Sequence, residues 1–264
     1  MTKTASEISF DRWKIAQDSE KDFWKDFNSD ISQTFSPEMS TTLEKYFSNK
    51  ANILIKNFEK FIKIKKDTKI LQIGCASIDV INYIAVGDRY SIDPLADFYK
   101  EKFKIDYKKT KFVKGMAEEL PYPDNFFDII IYDNVLDHVY QPEKTMSEIK
   151  RVLKKDGVVF FACHFYQKNF IRLAKIYGFF RKAFHKEIFN IHHPYMFTVG
   201  ELKKIVSADF KILSENVGEE IGIFENFEDL KEKKRSAPQR NVRIPAKLGL
   251  WGIINYSCFL RKNS

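Results

Sequence analysis

The chain has 264 residues and a net charge of +8, with 44% hydrophobic and 30% charged residues. Only 10 glycines and 8 prolines occur, which excludes collagenous, low-complexity and disordered classes and suits one domain with appended helices. Three cysteines (Cys75, Cys163 and Cys258) lie far apart without a C-x-x-C pair, so neither a disulfide framework nor a zinc ribbon is expected. A polar start and the lack of a long apolar stretch predict a cytoplasmic protein.

The first 66 residues show helical patterns. Apolar side chains recur at helical spacing over residues 13–27 and again over residues 43–61. Thr41 and Glu44 have the spacing of a capping box before the second pattern. These features predict a helical extension over residues 1–66 that packs on the rest of the chain.

From residue 67 onward, short apolar runs alternate with helical patterns. One helix is predicted to begin at Pro142 and to end before Gly157, and another follows a capping box of Thr198 and Glu201. The alternation predicts an α/β fold with a doubly wound sheet. The predicted strands are Lys69 to Ile73, Tyr90 to Ile92, Phe112 to Lys114, Phe127 to Tyr132, Val158 to Ala162, Lys211 to Val217 and Gly252 to Leu260.

Two residues follow predicted strands in places where ligands bind to such sheets. Gly74 follows the first strand, and Asp93 closes the second strand 19 residues later. That spacing matches the carboxylate that meets ribose hydroxyls in dinucleotide sites, although the G-x-G-x-x-G pattern is absent. A purely structural turn glycine and a turn or capping aspartate remain open alternatives.

Two further segments complete a family pattern. The sequence G-M-A-E-E-L-P-Y stands at residues 115–122 and N-V-L-D-H-V at residues 134–139, in order with the strands. Over residues 69–162 the chain resembles the small-molecule branch of the class I S-adenosylmethionine-dependent methyltransferases. Segments at residues 13–17 and 92–95 give a looser resemblance to members associated with glycan and polysaccharide biosynthesis.

The resemblance implies a fold. It is a Rossmann-like, mostly parallel seven-stranded sheet with an antiparallel last strand, plus N-terminal helices and a helical insertion. The methyltransferase domain would cover residues 67–264, with a helical lid at 165–197 and a basic connection at 221–250.

The resemblance also implies a cofactor site for S-adenosylmethionine. Gly74 would lie against its methionine part, Asp93 would hold the ribose, Met116 and Ala117 would border the adenine, and Asn134 would face the sulfonium. Several residues depart from the family pattern, which keeps open a non-catalytic partner protein of the same fold. These departures are Gln72, Ala76, Ile78 and Met116.

Candidate acceptor-side residues follow the fourth and fifth strands and precede the Thr198 cap. His138 and His164 are candidate general bases, because an alcohol acceptor needs a base within hydrogen-bond reach. His192, His193 and Tyr195 could line an acceptor pocket, with a turn braced by Pro194 as the alternative. No convincing metal-ligand set is found, so no metal is expected.

Positive charge is concentrated in two segments. Residues 165–187 carry +5 and residues 231–247, which include Lys233 and Arg235, carry +6. Both are expected to rim the acceptor side, which predicts O-methylation of an anionic sugar or glycan intermediate, with a lipid-linked acceptor as an alternative. No DNA partner is expected, and RNA is disfavoured because no separate binding module is visible. Residues 165–187 are also amphipathic, so a packed lid and a peripheral membrane helix both remain open.

Overall fold

The computed structural model describes residues 8–34, 37–75, 80–102, 110–183, 193–217 and 254–263. Fourteen elements are defined within these ranges, one of them a 3-10 helix. The helices are α1 (Phe10–Thr34), α2 (Pro37–Phe58), α3 (Ala96–Lys102), α4 (Pro142–Val152), α5 (Lys168–Ala183) and α6 (Val199–Asp209), with a 3-10 helix at Val80–Tyr83. The strands are β1 (Lys69–Ile73), β2 (Asp88–Asp93), β3 (Thr110–Lys114), β4 (Phe127–Asp133), β5 (Leu153–Phe165), β6 (Phe210–Val217) and β7 (Ile254–Lys262).

The strands form one seven-stranded sheet in the order β3-β2-β1-β4-β5-β7-β6. Strands β1 to β5 are parallel to one another, and β7 is antiparallel to both β5 and β6. The predicted doubly wound sheet with an antiparallel last strand is therefore confirmed. Strand order reverses between β1 and β4, and ligands bind at such a reversal in open α/β sheets.

Strand β4 shows why the apolar runs form a central sheet. Ile129 and Ile131 pack on the face covered by α2, and Ile130 and Tyr132 pack on the face covered by α4 and α6. All four side chains are fully buried. A strand covered on both faces reads as a continuous apolar run, because its alternating side chains enter two separate cores.

Some boundaries differ from the sequence prediction. Helix α2 begins at Pro37, so residue 41 lies inside the helix and not at its cap; proline suits the first turn of a helix. The capping box of Thr198 and Glu201 is confirmed. Strand β5 extends to Phe165 because β7 pairs with it as far as that residue.

The predicted helical insertion is present as α5, which leaves β5 at the carboxyl edge of the sheet. The basic connection at residues 221–250 lies outside the described residues. None of the helices in the described ranges is long and apolar enough to cross a membrane.

Candidate active site

A cavity of about 370 Å³ lies at the carboxyl ends of β1, β2, β3 and β4. We call it the edge cavity. All of the residues expected from sequence to hold the cofactor line it, namely Gly74, Asp93, Met116, Ala117 and Asn134. The topology brings them together because parallel strands end at one edge of the sheet.

The floor of the edge cavity depends on two residues with left-handed backbone. Gly74 has φ +68° and Asn134 has φ +54°. The Gly74 N–H donates to the Ile92 carbonyl, and the Asn134 N–H donates to the Ala162 carbonyl, each at 2.8 Å. A Cβ on Gly74 would approach Val135 Cγ2 to 2.5 Å. Glycine is therefore required there for both its backbone angle and its lack of a side chain.

Asp93 is a turn residue and also a wall of the cavity. Its Oδ1 accepts the Leu95 N–H at 2.8 Å, and its side chain is almost fully buried. This bond fixes the carboxylate at the end of β2 and confirms the turn role, whereas the binding of a ribose by Asp93 stays a prediction.

The loop that carries Met116 and Ala117 is fastened by two acidic side chains. Glu118 Oε1 accepts the backbone N–H groups of Tyr140 and Gln141 at 2.6 and 2.9 Å. Glu148 accepts the Leu120 N–H at 2.9 Å. Such bonds hold the loop in place before any ligand arrives, which lowers the entropic cost of binding.

Arg151 adds three contacts to the same loop. It donates to the carbonyls of Tyr122 and Leu120 at 2.8 and 2.9 Å and to Asp124 Oδ1 at 2.8 Å. Glu148 and Asp124 raise the pKa of Arg151 against a smaller effect of desolvation, so its charge is permanent.

Helices α1 and α2 cover the cavity, and the described part of α5 does not contribute to its lining. The expected lid at residues 165–197 is thus not the cover seen in the described residues. The covering side chains come from the N-terminal extension: Trp13, Gln17, Glu20, Trp24, Tyr46, Phe47 and Lys50.

Lys50 ties α2 to the end of β4. Its Nζ lies 2.6 Å from Asp133 Oδ2, and the two side chains are only 11% and 6% exposed. Sequence reasoning missed this ion pair. Asp133 is visible after an apolar strand, but no local pattern identifies a lysine partner so far away in the chain.

The lining suits an adenosine cofactor. The Oδ1 atom of Asn134 is buried and has no hydrogen-bond partner among the described residues. A buried polar atom without a partner is costly, and a ligand donor at this position would remove that cost. Leu95 and Tyr99 add apolar walls beside the Asp93 carboxylate. Mostly apolar walls with a few fixed polar groups are typical of cofactor sites.

An acid–imidazole cluster, formed by Asp137, His138 and His193, adjoins the cavity. Nδ1 of His193 lies 2.8 Å from Asp137 Oδ2, and Asp137 is 1% exposed. The His138 and His193 rings are 4.4 Å apart at their centroids. His138 lines the cavity, and its Nδ1 lies 3.9 Å from Glu20 Oε2. The segment that follows β4 and the segment that precedes α6 thus bring one carboxylate and two imidazoles into contact.

The pKa shifts in this cluster indicate that the Asp137 carboxylate is charged and that it orients the His193 imidazole. Burial would raise the pKa of Asp137, but the charges of His138 and His193 and the His193 hydrogen bond together lower it to about 2. Burial lowers the pKa of His193, but the hydrogen bond and charge of Asp137 outweigh burial and raise it above its usual value. An ionised carboxylate only accepts hydrogen bonds, so Nδ1 of His193 carries the proton.

None of the remaining predicted site residues that the structure describes lines the edge cavity. His164, at the end of β5, is near enough to Asp137 for its charge to help lower the pKa of that carboxyl, while burial lowers the pKa of His164 itself. Tyr195 is buried, and its hydroxyl donates to the Tyr140 carbonyl at 2.8 Å. The structure therefore places Tyr195 in the core, not in the edge cavity. His192, Lys233 and Arg235 lie outside the described residues.

The acid–imidazole cluster also has the atoms to bind a metal ion. One ligand atom from each of Asp137, His138 and His193 lies within 4.8 Å of the others. Sequence reasoning missed this grouping, because His193 reaches the other two only through the fold. The expectation that the protein uses no metal stays a prediction.

Comparison with known proteins agrees with this geometry. A family model described as a methyltransferase domain matches residues 71–161. An uncharacterized methyltransferase of Schizosaccharomyces pombe is 33% identical over 110 residues, which cover 36% of this chain and 40% of the relative. The ubiquinone/menaquinone biosynthesis C-methyltransferase UbiE of Campylobacter jejuni is 31% identical over 108 residues, which cover 36% of this chain and 44% of that relative. The chain thus spans less than half the length of both relatives.

Solved structures extend the likeness beyond the matched segment. A putative sarcosine dimethylglycine methyltransferase from Galdieria sulphuraria has a TM-score of 0.58 and 15% identity, covering 86% of this chain and 87% of its own. A Haemonchus contortus phosphoethanolamine N-methyltransferase, solved with S-adenosylhomocysteine, has a TM-score of 0.50 and 17% identity, covering 81% and 53%. Residues 71–161 therefore carry the sequence pattern of a methyltransferase domain, and the whole sheet has the Rossmann-like fold of these solved methyltransferases.

Proposed function

We propose that the protein transfers a methyl group from S-adenosylmethionine to a hydroxyl group of an acceptor, with His193 as the general base. One observation carries the proposal. The edge cavity unites Gly74, Asp93 and Asn134, and the His138 ring on its wall lies 4.4 Å from the ring of His193. The proposed cofactor site and the proposed base are therefore neighbours.

The edge cavity would hold the cofactor through groups that are already fixed. The Asp93 carboxylate would accept hydrogen bonds from ribose hydroxyls, and Asn134 Oδ1 would accept a donor that it lacks within the described residues. Met116 and Ala117 would flank the adenine. When bound, S-adenosylmethionine supplies a methyl group already activated by a positively charged sulfur. The chain then has to align the acceptor and exclude water, and α1 and α2 supply the cover.

The acid–imidazole cluster favours a hydroxyl acceptor over an amine. An amine needs only to be unprotonated, whereas a hydroxyl must lose its proton as the new bond forms. Asp137 holds the His193 proton on Nδ1, so the other ring nitrogen, Nε2, is left to accept the acceptor proton. Asp137 stabilises the imidazolium that results, as the pKa shift of His193 indicates.

The acceptor in this proposal is a sugar or glycan intermediate that carries negative charge. The resemblance of residues 13–17 and 92–95 to glycan-associated members supports the sugar. The charge of +6 that residues 231–247 carry in the sequence supports the negative charge of the acceptor. The acceptor base belongs to this chain's own residues, so the proposal requires no metal ion.

A non-catalytic protein of the same fold is the second candidate. Gln72 stands at a position where the family usually has an acid, and it is fully buried. Its Oε1 accepts the Ile81 N–H at 2.9 Å, so the side chain braces the 3-10 helix. A residue used in this way contributes packing without requiring a cofactor.

Two measurements test the proposal. Calorimetric titration with S-adenosylmethionine is expected to show saturable binding to the purified protein, and no binding would favour the non-catalytic candidate. Incubation with methyl-labelled cofactor and a panel of nucleotide-linked sugars, phenols and amines is then expected to label a sugar hydroxyl. Binding together with labelling of amines alone would contradict the role of the general base.

A further inference from the structure

Helix α5 carries an exposed apolar stripe formed by Leu173, Ile176, Tyr177 and Phe180. These residues follow the spacing i, i+3, i+4 and i+7, which aligns side chains along one face of a helix. Their exposed fractions are 50%, 54%, 50% and 53%. Phe179 next to the stripe is 71% exposed. Scattered exposed apolar residues are ordinary, but a continuous row on one helix marks an interaction surface.

The opposite face of α5 holds the helix on the domain. Ile171 and Ala174 are buried, and Phe170 stacks on Tyr166 at 5.5 Å between ring centroids. The stripe is therefore not the face that packs on the core. It points outward while the helix itself remains anchored.

A row of cations adjoins the stripe. Lys168, Arg172 and Lys175 are all exposed and follow the spacing i, i+4 and i+7. The helix contains no aspartate or glutamate. Its own residues therefore offer no carboxylate to neutralise the row, so the surface complements a partner that is apolar and negatively charged.

We propose that α5 docks in the plane of an anionic lipid bilayer, with the stripe in the acyl boundary and the cation row on lipid phosphates. Aromatic and aliphatic residues beside flexible cations are typical of interfacial helices, because lysine and arginine reach the headgroups while their neighbours are buried. A protein interface is the weaker alternative, since the cores of such interfaces are depleted of lysine. The surface lies outside the edge cavity, so this inference goes beyond the proposed function.

Vesicle co-sedimentation of the full chain tests the proposal without any activity measurement. Binding is expected to vesicles of equimolar phosphatidylcholine and phosphatidylserine, and to be much weaker with phosphatidylcholine alone. Each cation near an anionic surface contributes roughly a fivefold gain in affinity. Arg172→Gln with Lys175→Gln is therefore expected to weaken binding about 25-fold. Lys65→Gln with Lys66→Gln removes the same charge from an exposed loop and serves as the control.

The stripe is tested separately. Leu173→Ser with Ile176→Ser is expected to abolish binding, whereas Val86→Ser, at a residue 39% exposed, is expected to leave it unchanged. Phe180→Trp keeps the surface apolar, and its fluorescence is expected to shift to the blue on anionic vesicles. No binding to anionic vesicles, or binding that survives the stripe variant, would overturn the proposal. A dimer in sedimentation velocity that the stripe variant dissociates would overturn it too, because a second copy would then cover the stripe.

Discussion

Nδ1 of His193 lies 2.8 Å from Oδ2 of Asp137, although 56 residues separate them in sequence. The two residues come from segments that sequence analysis assigned to different roles. Asp137 belongs to the segment after β4, and His193 belongs to the segment before α6. The hydrogen bond joins them into one acid–imidazole pair next to the edge cavity. The proposed base, His193, therefore belongs to the segment that the sequence analysis assigned to the acceptor pocket.

His193→Gln is expected to lower the rate of methyl transfer about 10²- to 10⁴-fold, the range typical of a lost general base. The affinity for the cofactor should stay the same, because His193 does not line the edge cavity. Labelled-methyl assays and calorimetry on the same preparations measure the two quantities. If His138→Gln lost more activity than His193→Gln, the base would be His138 instead.

The pH profile gives a second readout of the same pair. A base must be neutral to act, so activity should rise with pH through the pKa of His193, which Asp137 raises above its usual value. Asp137→Asn removes the hydrogen-bonded charge that raises this pKa, so the rising limb should move to lower pH while its plateau falls. A limb that stays in place in Asp137→Asn would exclude His193 as its origin.

The sheet and a helical N-terminal extension packed on it could be predicted from sequence, but the contacts by which that extension covers the cavity could not. The apolar run of β4 indicates that the strand is buried on both faces. The small and acidic residues that follow β1, β2 and β3 indicate the edge of the sheet at which a ligand binds. The pair of Lys50 and Asp133 and the pair of Asp137 and His193 depend on how helices and loops return across that edge. Such long-range contacts leave no periodic signal, because each partner alone resembles an ordinary polar residue.

Asp93→Asn is expected to weaken cofactor binding by at least about tenfold, the loss typical of a hydrogen bond to a charged group. Asparagine can still accept the Leu95 N–H through Oδ1, so the turn should remain intact. Asp97→Asn removes an equal charge from the exposed start of α3 and provides the control. If calorimetry gave the two variants equal affinities for the cofactor, Asp93 would not contact the cofactor.

Removal of metal ions is expected to leave activity unchanged. His193 and Asp137 move the proton in the proposed reaction, so no bound ion is needed. Protein treated with EDTA and then desalted should retain the rate of the untreated protein, while excess Zn²⁺ should inhibit by occupying the acid–imidazole cluster. Loss of activity on EDTA treatment, restored by one added metal, would show that the cluster binds an essential ion.

Lys50→Ala is expected to lower the free energy of unfolding by about 3–5 kcal/mol, because it leaves the buried Asp133 carboxylate without its cationic partner and with the Asn134 amide alone at 3.1 Å. The double variant with Asp133→Asn should lose less than the sum of the single variants, since no unpaired charge then remains. Lys102→Ala removes a lysine from an exposed ion pair with Glu101 and should change stability by less than about 1 kcal/mol. Urea unfolding measures all of these values.

Gly74→Ala tests whether the floor of the edge cavity needs glycine for its backbone or for its space. The left-handed φ of +68° costs an alanine roughly 1 kcal/mol, and the new Cβ would also meet Val135 Cγ2 at 2.5 Å. Both effects should lower stability and weaken cofactor binding.

Val135→Ala in the Gly74→Ala background separates these two causes. It removes the Cγ atoms that the new Cβ meets, so it should recover the part of the loss caused by the clash and leave the backbone cost. Val135→Ala alone provides the baseline, because it loses packing without introducing a clash. A double variant that lost as much stability as the two single variants together would show that the contact with Val135 adds nothing to the cost of Gly74→Ala. The backbone angle alone would then set the requirement for glycine.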